Sequence, residues 1–264
     1  LEVRIETALM AATKRVNAAP GDADGAMALF SLEDIHLARG DNEILKGVEW
    51  TISEGRISII LGPSGSGKTS LLRLLNRLDD ATSGRLLFRD APIESYDVPR
   101  LRREVGMVFQ RPELFDGTVR DNILFGTEIH KINIDLKEIL SLVALDPGML
   151  DRDVSTLSGG QAQKVSIGRS IAVGPRVLLL DEPTSGLDPT ATLQIESLVK
   201  RLVGALGLTC VFVTHLIDQA KRIGDSAVIL IGGRKVEQGR VPDVLVHPKD
   251  PRSRRFVKGE LTDE

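Results

Sequence analysis

The chain has 264 residues, 42% hydrophobic and 27% charged, which suits one large or two small domains with a substantial core and excludes disorder over most of its length. A net charge of -3 supplies no basic field of the kind that recommends nucleic acid as a partner. The longest apolar runs, such as Val177 to Leu180, fall far short of the ~20 residues a membrane helix needs, so the chain is expected to be soluble by itself.

Residues 1–26 are rich in alanine and end in Pro20-Gly21-Asp22 and Asp24-Gly25, which reads as a linker or extension ahead of a domain over 27–247, with 248–264 as a tail. Alternation in Leu29 to Leu32 and in Val48 to Ile52, broken by Arg39-Gly40-Asp41-Asn42, predicts antiparallel strands around a turn. Ile57 to Leu61 is short and β-branched, as a strand buried on both faces of a parallel sheet would be. Next comes Gly62-Pro63-Ser64-Gly65-Ser66-Gly67-Lys68-Thr69-Ser70, which matches G-x-x-x-x-G-K-[ST], and then Leu71, Leu74, Leu75 and Leu78 at helical spacing. Strand, glycine loop and helix thus arrive in the order a phosphate cradle requires. Its glycines let backbone N–H groups curl around a phosphate, Lys68 reaches the β and γ phosphates, and Thr69 offers a hydroxyl to magnesium.

Leu86 to Phe88 reads as a further strand, followed by a proline-containing loop to Pro99 and an apolar run, Val105 to Phe109, that ends at Gln110. From about 111 to 158, helix-like pieces near Val119 to Phe125 and Leu136 to Ala144 predict an inserted helical subdomain. In Leu157-Ser158-Gly159-Gly160-Gln161, Ser158 is a natural N-cap, and two glycines leave the backbone open to an anion; on the residues alone this is also an ordinary capped helix. Val177 to Leu180 leads into Asp181-Glu182 at the carboxyl edge of the predicted sheet, where the first carboxylate can hold magnesium through water and the second can polarise an attacking water. A helical stripe from Ile195 to Leu206 and a strand from Thr209 to Val213 complete a βαβ unit, after which comes His215. Cys210, in that last strand, reads as a small buried residue. Gln110 and His215 are each ordinary alone. In a doubly wound sheet all four strand ends would meet beside one phosphate.

In order and spacing, the cradle, Gln110, Leu157 to Gln161, Val177 to Pro183, Ser185-Gly186-Leu187-Asp188 and His215 resemble the ATP-binding cassette of ABC transporters, over about residues 28 to 247. The resemblance implies an α/β fold: a P-loop NTPase (RecA-like) core with an N-terminal antiparallel β-subdomain and an inserted α-helical subdomain. It implies ATP and Mg2+ as cofactors, with Lys68 and Thr69 on nucleotide and metal, Gln110 and Asp181 completing the magnesium shell, Glu182 as general base and His215 on the γ-phosphate. Asp188 would lie at the interface with a second cassette in a head-to-tail dimer, and Ser158, Gly159, Gly160 and Gln161 would close over ATP held by that partner. A separate transmembrane permease would be the other partner, placing the protein at the cytoplasmic face of a membrane with contact only through the permease. The alternative is a soluble cassette ATPase in an assembly complex, such as one for iron–sulfur cluster biogenesis.

Two positions depart from the family pattern. An aromatic that stacks on adenine usually stands 23 residues before the first cradle glycine, where this chain has Arg39, either a stacking guanidinium or a solvated turn residue. Lys164 stands where arginine is commoner, keeping charge but losing the planar fork. A narrower resemblance, in Phe115 to Val119, Asp121-Asn122, Leu145 to Pro147 and Gly160 to Gln163, is to the ATPase subunits of plant aluminium-tolerance and bacterial iron-export transporters.

Overall fold

The computed structural model describes residues 27–260, so the extension expected over 1–26 lies outside the described residues. Two compact units divide the described residues: Arg103–Leu208 is one, and the other joins 27–102 with 209–260.

In the second of these, β1 (Ala28–Arg39) and β2 (Asn42–Ser53) form the expected antiparallel pair, turning through Gly40-Asp41 with Gly40 at φ +59. Phe30 and Leu32 of β1, then Ile35 and Leu37 beyond an irregularity in the pairing, and Val48, Trp50 and Ile52 of β2 are buried, the period-2 pattern of a sheet with one covered face. After β3 (Ile57–Leu61) and α1 (Lys68–Leu74), β4 (Ser83–Phe88) and the short β5 (Ala91–Pro92) extend that sheet in the order β2-β1-β4-β5. Leu71, Leu74 and Leu75 are buried as their spacing predicts. Leu78 lies beyond the helix, because Arg77 adopts φ +55 and ends it. Where a loop was expected to Pro99, the chain forms α2 (Val98–Glu104): Asp97 accepts a hydrogen bond from Arg100 N (3.1 Å), and proline is tolerated in a first turn.

The Arg103–Leu208 unit contains β6 (Val105–Val108), α3 (Val119–Ile129), α4 (Leu136–Leu142), α5 (Gly159–Ala172), β7 (Val177–Asp181) and α6 (Pro189–Leu206). β6 and β7 pair in parallel, Val108 opposite Leu180. The expected helical insertion is thus present as α3 and α4, each started by its own cap, Thr118 with Asp121 in a capping box and Asp135 on Lys137 N. Ile195, Leu198, Val199 and Leu202 form the buried stripe of α6, which Gly207 terminates at φ +63.

From Thr209 the chain returns to the other unit through β8 (Thr209–Val213), α7 (Ile217–Ile223), β9 (Ser226–Ile231), β10 (Arg234–Arg240), α8 (Val241–Val246) and α9 (Pro251–Val257). β3 lies in parallel between β8 and β9, all five of its residues buried, and β10 pairs antiparallel with β9. Cys210 is fully buried in β8, where desolvation pushes its thiol pKa far up. The fold is the α/β class expected, a P-loop core with an antiparallel subdomain and inserted helices.

Candidate functional site

β3 delivers the chain into the cradle at Gly62, whose φ is +154. A Cβ there would stand 2.1 Å from the Leu230 carbonyl and 2.6 Å from Ser66 Oγ, so only glycine fits. Gly65 and Gly67 follow at φ +71 and +95, and a Cβ on Gly67 would meet Leu45 at 2.8 Å and the Ile44 carbonyl at 3.2 Å. The start of β2 therefore packs directly on the cradle. Lys68, 6% exposed, arches back over the loop, its Nζ donating to the carbonyls of Gly62 (3.0 Å) and Pro63 (2.7 Å). Ser66 Oγ is buried without a hydrogen-bond partner. A buried ammonium, an orphaned hydroxyl and, at Gly62 and Gly67, backbone with no room for a side chain make the donor set a polyphosphate fits. Pro63, Ser64 and Thr69 border this loop, with Thr69 exposed at the first turn of α1.

His215 belongs to the same unit. Thr214 N donates to the Ile60 carbonyl (3.1 Å), so the chain leaves β8 beside the end of β3, and His215 follows, exposed. Arg39 ends β1 opposite Asn42, and its Nη2 donates to Asp79 Oδ2 (2.9 Å), an oxygen that also accepts from Arg73 Nε (2.7 Å). The predicted stacking residue is thus held by a carboxylate from the loop after α1.

In the other unit, β7 is buried throughout and ends at Asp181, 7% exposed. Glu182 follows at φ +41, an uncommon conformation for a residue with a Cβ, which costs of the order of 1–3 kcal/mol and persists only where the surrounding structure imposes it. The chain then turns through Pro183 and Thr184, with Ser185 N donating to the Glu182 carbonyl (3.0 Å). Gln110, two residues beyond β6, donates from Nε2 to Ser185 Oγ (3.1 Å). The structure therefore brings Gln110, Asp181, Glu182 and Ser185 to one edge of the β6–β7 pair.

Ser158 caps α5 as expected, and it does so reciprocally: its Oγ accepts from Gln161 N (3.3 Å) while Gln161 Oε1 accepts from Ser158 N (3.0 Å). The S-x-x-Q spacing that signals this capping box is legible in the sequence. A Cβ on Gly159 would lie 3.1 Å from Leu187, and one on Gly160 3.0 Å from Ala191, so the glycines seat α5 against the start of α6. There Asp188 caps α6, accepting from Thr190 N (2.9 Å) and Ala191 N (3.0 Å). Lys164 donates to Gln194 Oε1 (2.9 Å), and partial burial, with Arg201 nearby, holds its pKa below the usual lysine value. Sequence reasoning quoted Ser185 and Gln163 only within motifs and gave them no role of their own, and it missed Arg169 of α5; their partners come from distant parts of the chain.

The ABC transporter family profile matches residues 45–185. The chain is 45% identical over 224 residues to Protein STAR1 of Oryza sativa subsp. japonica, covering 84% of this chain but only 64% of that protein. It is 40% identical over 225 residues to ABC transporter I family member 17 of Arabidopsis thaliana, covering 84% of this chain and 85% of that one. Phosphate import ATP-binding protein PstB 3 of Streptococcus pneumoniae is 36% identical over 252 residues, 89% of this chain and its own entire length. Among solved structures, cbiO1 of Clostridium perfringens, described as part of the ABC transporter complex cbiONQ, superposes with a TM-score of 0.76 at 30% identity over 83% of this chain and 91% of that one.

Proposed function

Because this chain belongs to the ABC transporter ATP-binding family and is an ATPase of that family, we propose that it energises transport through a separate membrane-spanning permease. The observation that carries the reading is the cradle, with Lys68 buried over carbonyls of its own loop and Ser66 left without a partner. The relatives named above as a phosphate-import ATP-binding protein and as part of a transporter complex support it. Among the described residues no helix is long and apolar enough to cross a membrane. The cargo proposal, metal tolerance, rests on the narrower sequence resemblance around Phe115 to Asn122.

In the mechanism proposed, the glycine N–H groups and Lys68 bind the β and γ phosphates of ATP. Thr69, Gln110 and Asp181 would hold Mg2+, which when bound neutralises charge on the phosphate oxygens. Glu182 accepts the proton of the attacking water, and His215 donates a hydrogen bond to the γ-phosphate. Ser158, Gly159, Gly160 and Gln161 close over ATP held by a second cassette, with Asp188 at that interface. Mixing Lys68→Ala chains with Ser158→Arg chains should then leave at most one complete site per mixed dimer and recover part of the activity each lacks alone. A Ser158→Arg chain that hydrolyses ATP normally as a monomer in light scattering would reject the dimer. Purification of the native complex tests the transport reading: a co-purifying permease supports it, and a stoichiometric soluble assembly protein in its place rejects it.

A further inference from the structure

We infer that Arg169 is a positioning residue for Gln110: from α5 its guanidinium fixes the stretch of chain that carries this glutamine, and so fixes where its amide can reach. The inference rests on the reading of Gln110 as a magnesium ligand.

Between the end of β6 at Val108 and the start of α3 at Val119 the chain has no helix or strand, yet a side-chain ligand is only as well placed as its backbone. Two side chains of α5 reach across to that stretch. Buried Gln163 Nε2 donates to the Phe109 carbonyl (3.4 Å), and Arg169 Nη2 to the Glu113 carbonyl (2.6 Å). The first is long for a hydrogen bond. The second is short and donated by a charged group, so it dominates.

Arg169 is itself held in place. Its Cζ lies 4.9 Å from the centre of the Phe115 ring, which sits 4.3 Å from the ring of Phe125 in α3. Asn122 brackets the Phe115 backbone, accepting from its N–H (2.9 Å) and donating to its carbonyl (2.9 Å). Partial burial lowers the guanidinium pKa from its ordinary value, and the nearby Glu113 charge opposes that shift. At its other end, Gln110 is tied to Ser185 in the loop after Glu182. The helix that supplies the clamp also begins at the capped Ser158, about 16 Å away for 11 residues of α-helix, so one rigid element carries both features. A ligand that shifts the Ser158 end thereby shifts the support of Gln110.

The test measures metal binding directly, with Mn2+ in place of Mg2+, by electron paramagnetic resonance on the full chain with a non-hydrolysable ATP analogue. Arg169→Gln should weaken Mn2+ binding about fivefold while Gln110 is present, the worth of roughly one lost hydrogen bond, and should change nothing in a Gln110→Ala background. Nucleotide affinity without metal should stay at the wild-type value, which a merely structural loss would not allow. Arg169→Lys, which keeps the charge and shortens the reach, should fall between wild type and Arg169→Gln, and it carries the test if the glutamine variant does not fold. Unchanged Mn2+ affinity in the Arg169 variants, or an equal fall with and without Gln110, overturns the inference. Wild-type Mn2+ affinity in Gln110→Ala alone instead overturns the role given to Gln110 and the inference with it.

Discussion

The cradle at Gly62 to Ser70 and the loop at Ser158 to Gln161 both offer glycine-opened backbone beside a helix, but they treat their own polar groups in opposite ways. The cradle leaves Ser66 Oγ buried and unpartnered, a cost of about 1–3 kcal/mol that an accepting phosphate would remove. Ser158 and Gln161 instead satisfy each other, and Ser158 and Gly159 are exposed. One loop is thus built to hold a ligand unaided. The other already engages Ser158 Oγ and Gln161 Oε1 in its own cap, and in the proposed dimer it meets ATP that the second cassette already holds.

That division of labour assigns the chemistry to neither loop, so the largest effect should come from outside both. Glu182→Gln should lower ATP turnover by about 10²-fold or more, the lower range for general base catalysis, with nucleotide affinity retained. Wild-type hydrolysis by this variant would remove Glu182 from the mechanism. Next in size, Lys68→Ala should weaken ATP binding by roughly ten- to a hundredfold, since it deletes a charged donor from a buried site. A fluorescent nucleotide titration reads this, and a loss under threefold would break the claim that the cradle binds unaided. Ser158→Ala should behave differently, lowering stability by about 1 kcal/mol through the lost cap while single-chain ATP affinity stays within about twofold. Equal losses of ATP affinity in Lys68→Ala and Ser158→Ala would erase the distinction between the loops.

Much of this was legible in the sequence because the signals are local. The buried strand Ile57 to Leu61, the cradle glycines and the stripe of α6 each follow from composition and spacing within a few residues. The helix Val98–Glu104 was hidden because it is short and contains a proline, and the early end of α1 because the conformation of Arg77 is not written in its type. The φ of Glu182 is hidden for the same reason, since nothing about glutamate asks for it. The clamp on Gln110 was invisible in another way: Gln163 and Arg169 meet carbonyls 54 and 56 residues away, and only the fold pairs them.

The smallest effect concerns Arg39, and the structure sharpens what its test must separate. Its guanidinium donates to Asp79, which Arg73 also engages, so its edge is occupied while its side chain remains 58% exposed. An edge-bound guanidinium can still offer its face to a purine, and the hairpin it ends lies in the strand pair whose Ile44 and Leu45 pack on Gly67. Stacking of this kind contributes about 0.5–1 kcal/mol, so Arg39→Ala should weaken ATP binding roughly two- to fivefold. Arg39→Tyr should restore it if the flat face matters. Arg39 could instead attract phosphates at a distance, and Arg39→Ala also leaves Asp79 paired with Arg73 alone, which changes the charge near the cradle. Both alternatives act on charge, so both are screened by salt and neither needs a base. ATP and inorganic triphosphate should therefore be compared at two salt concentrations. A loss for ATP alone that persists at high salt is the stacking result, whereas an equal loss for both ligands that shrinks as salt rises rejects it.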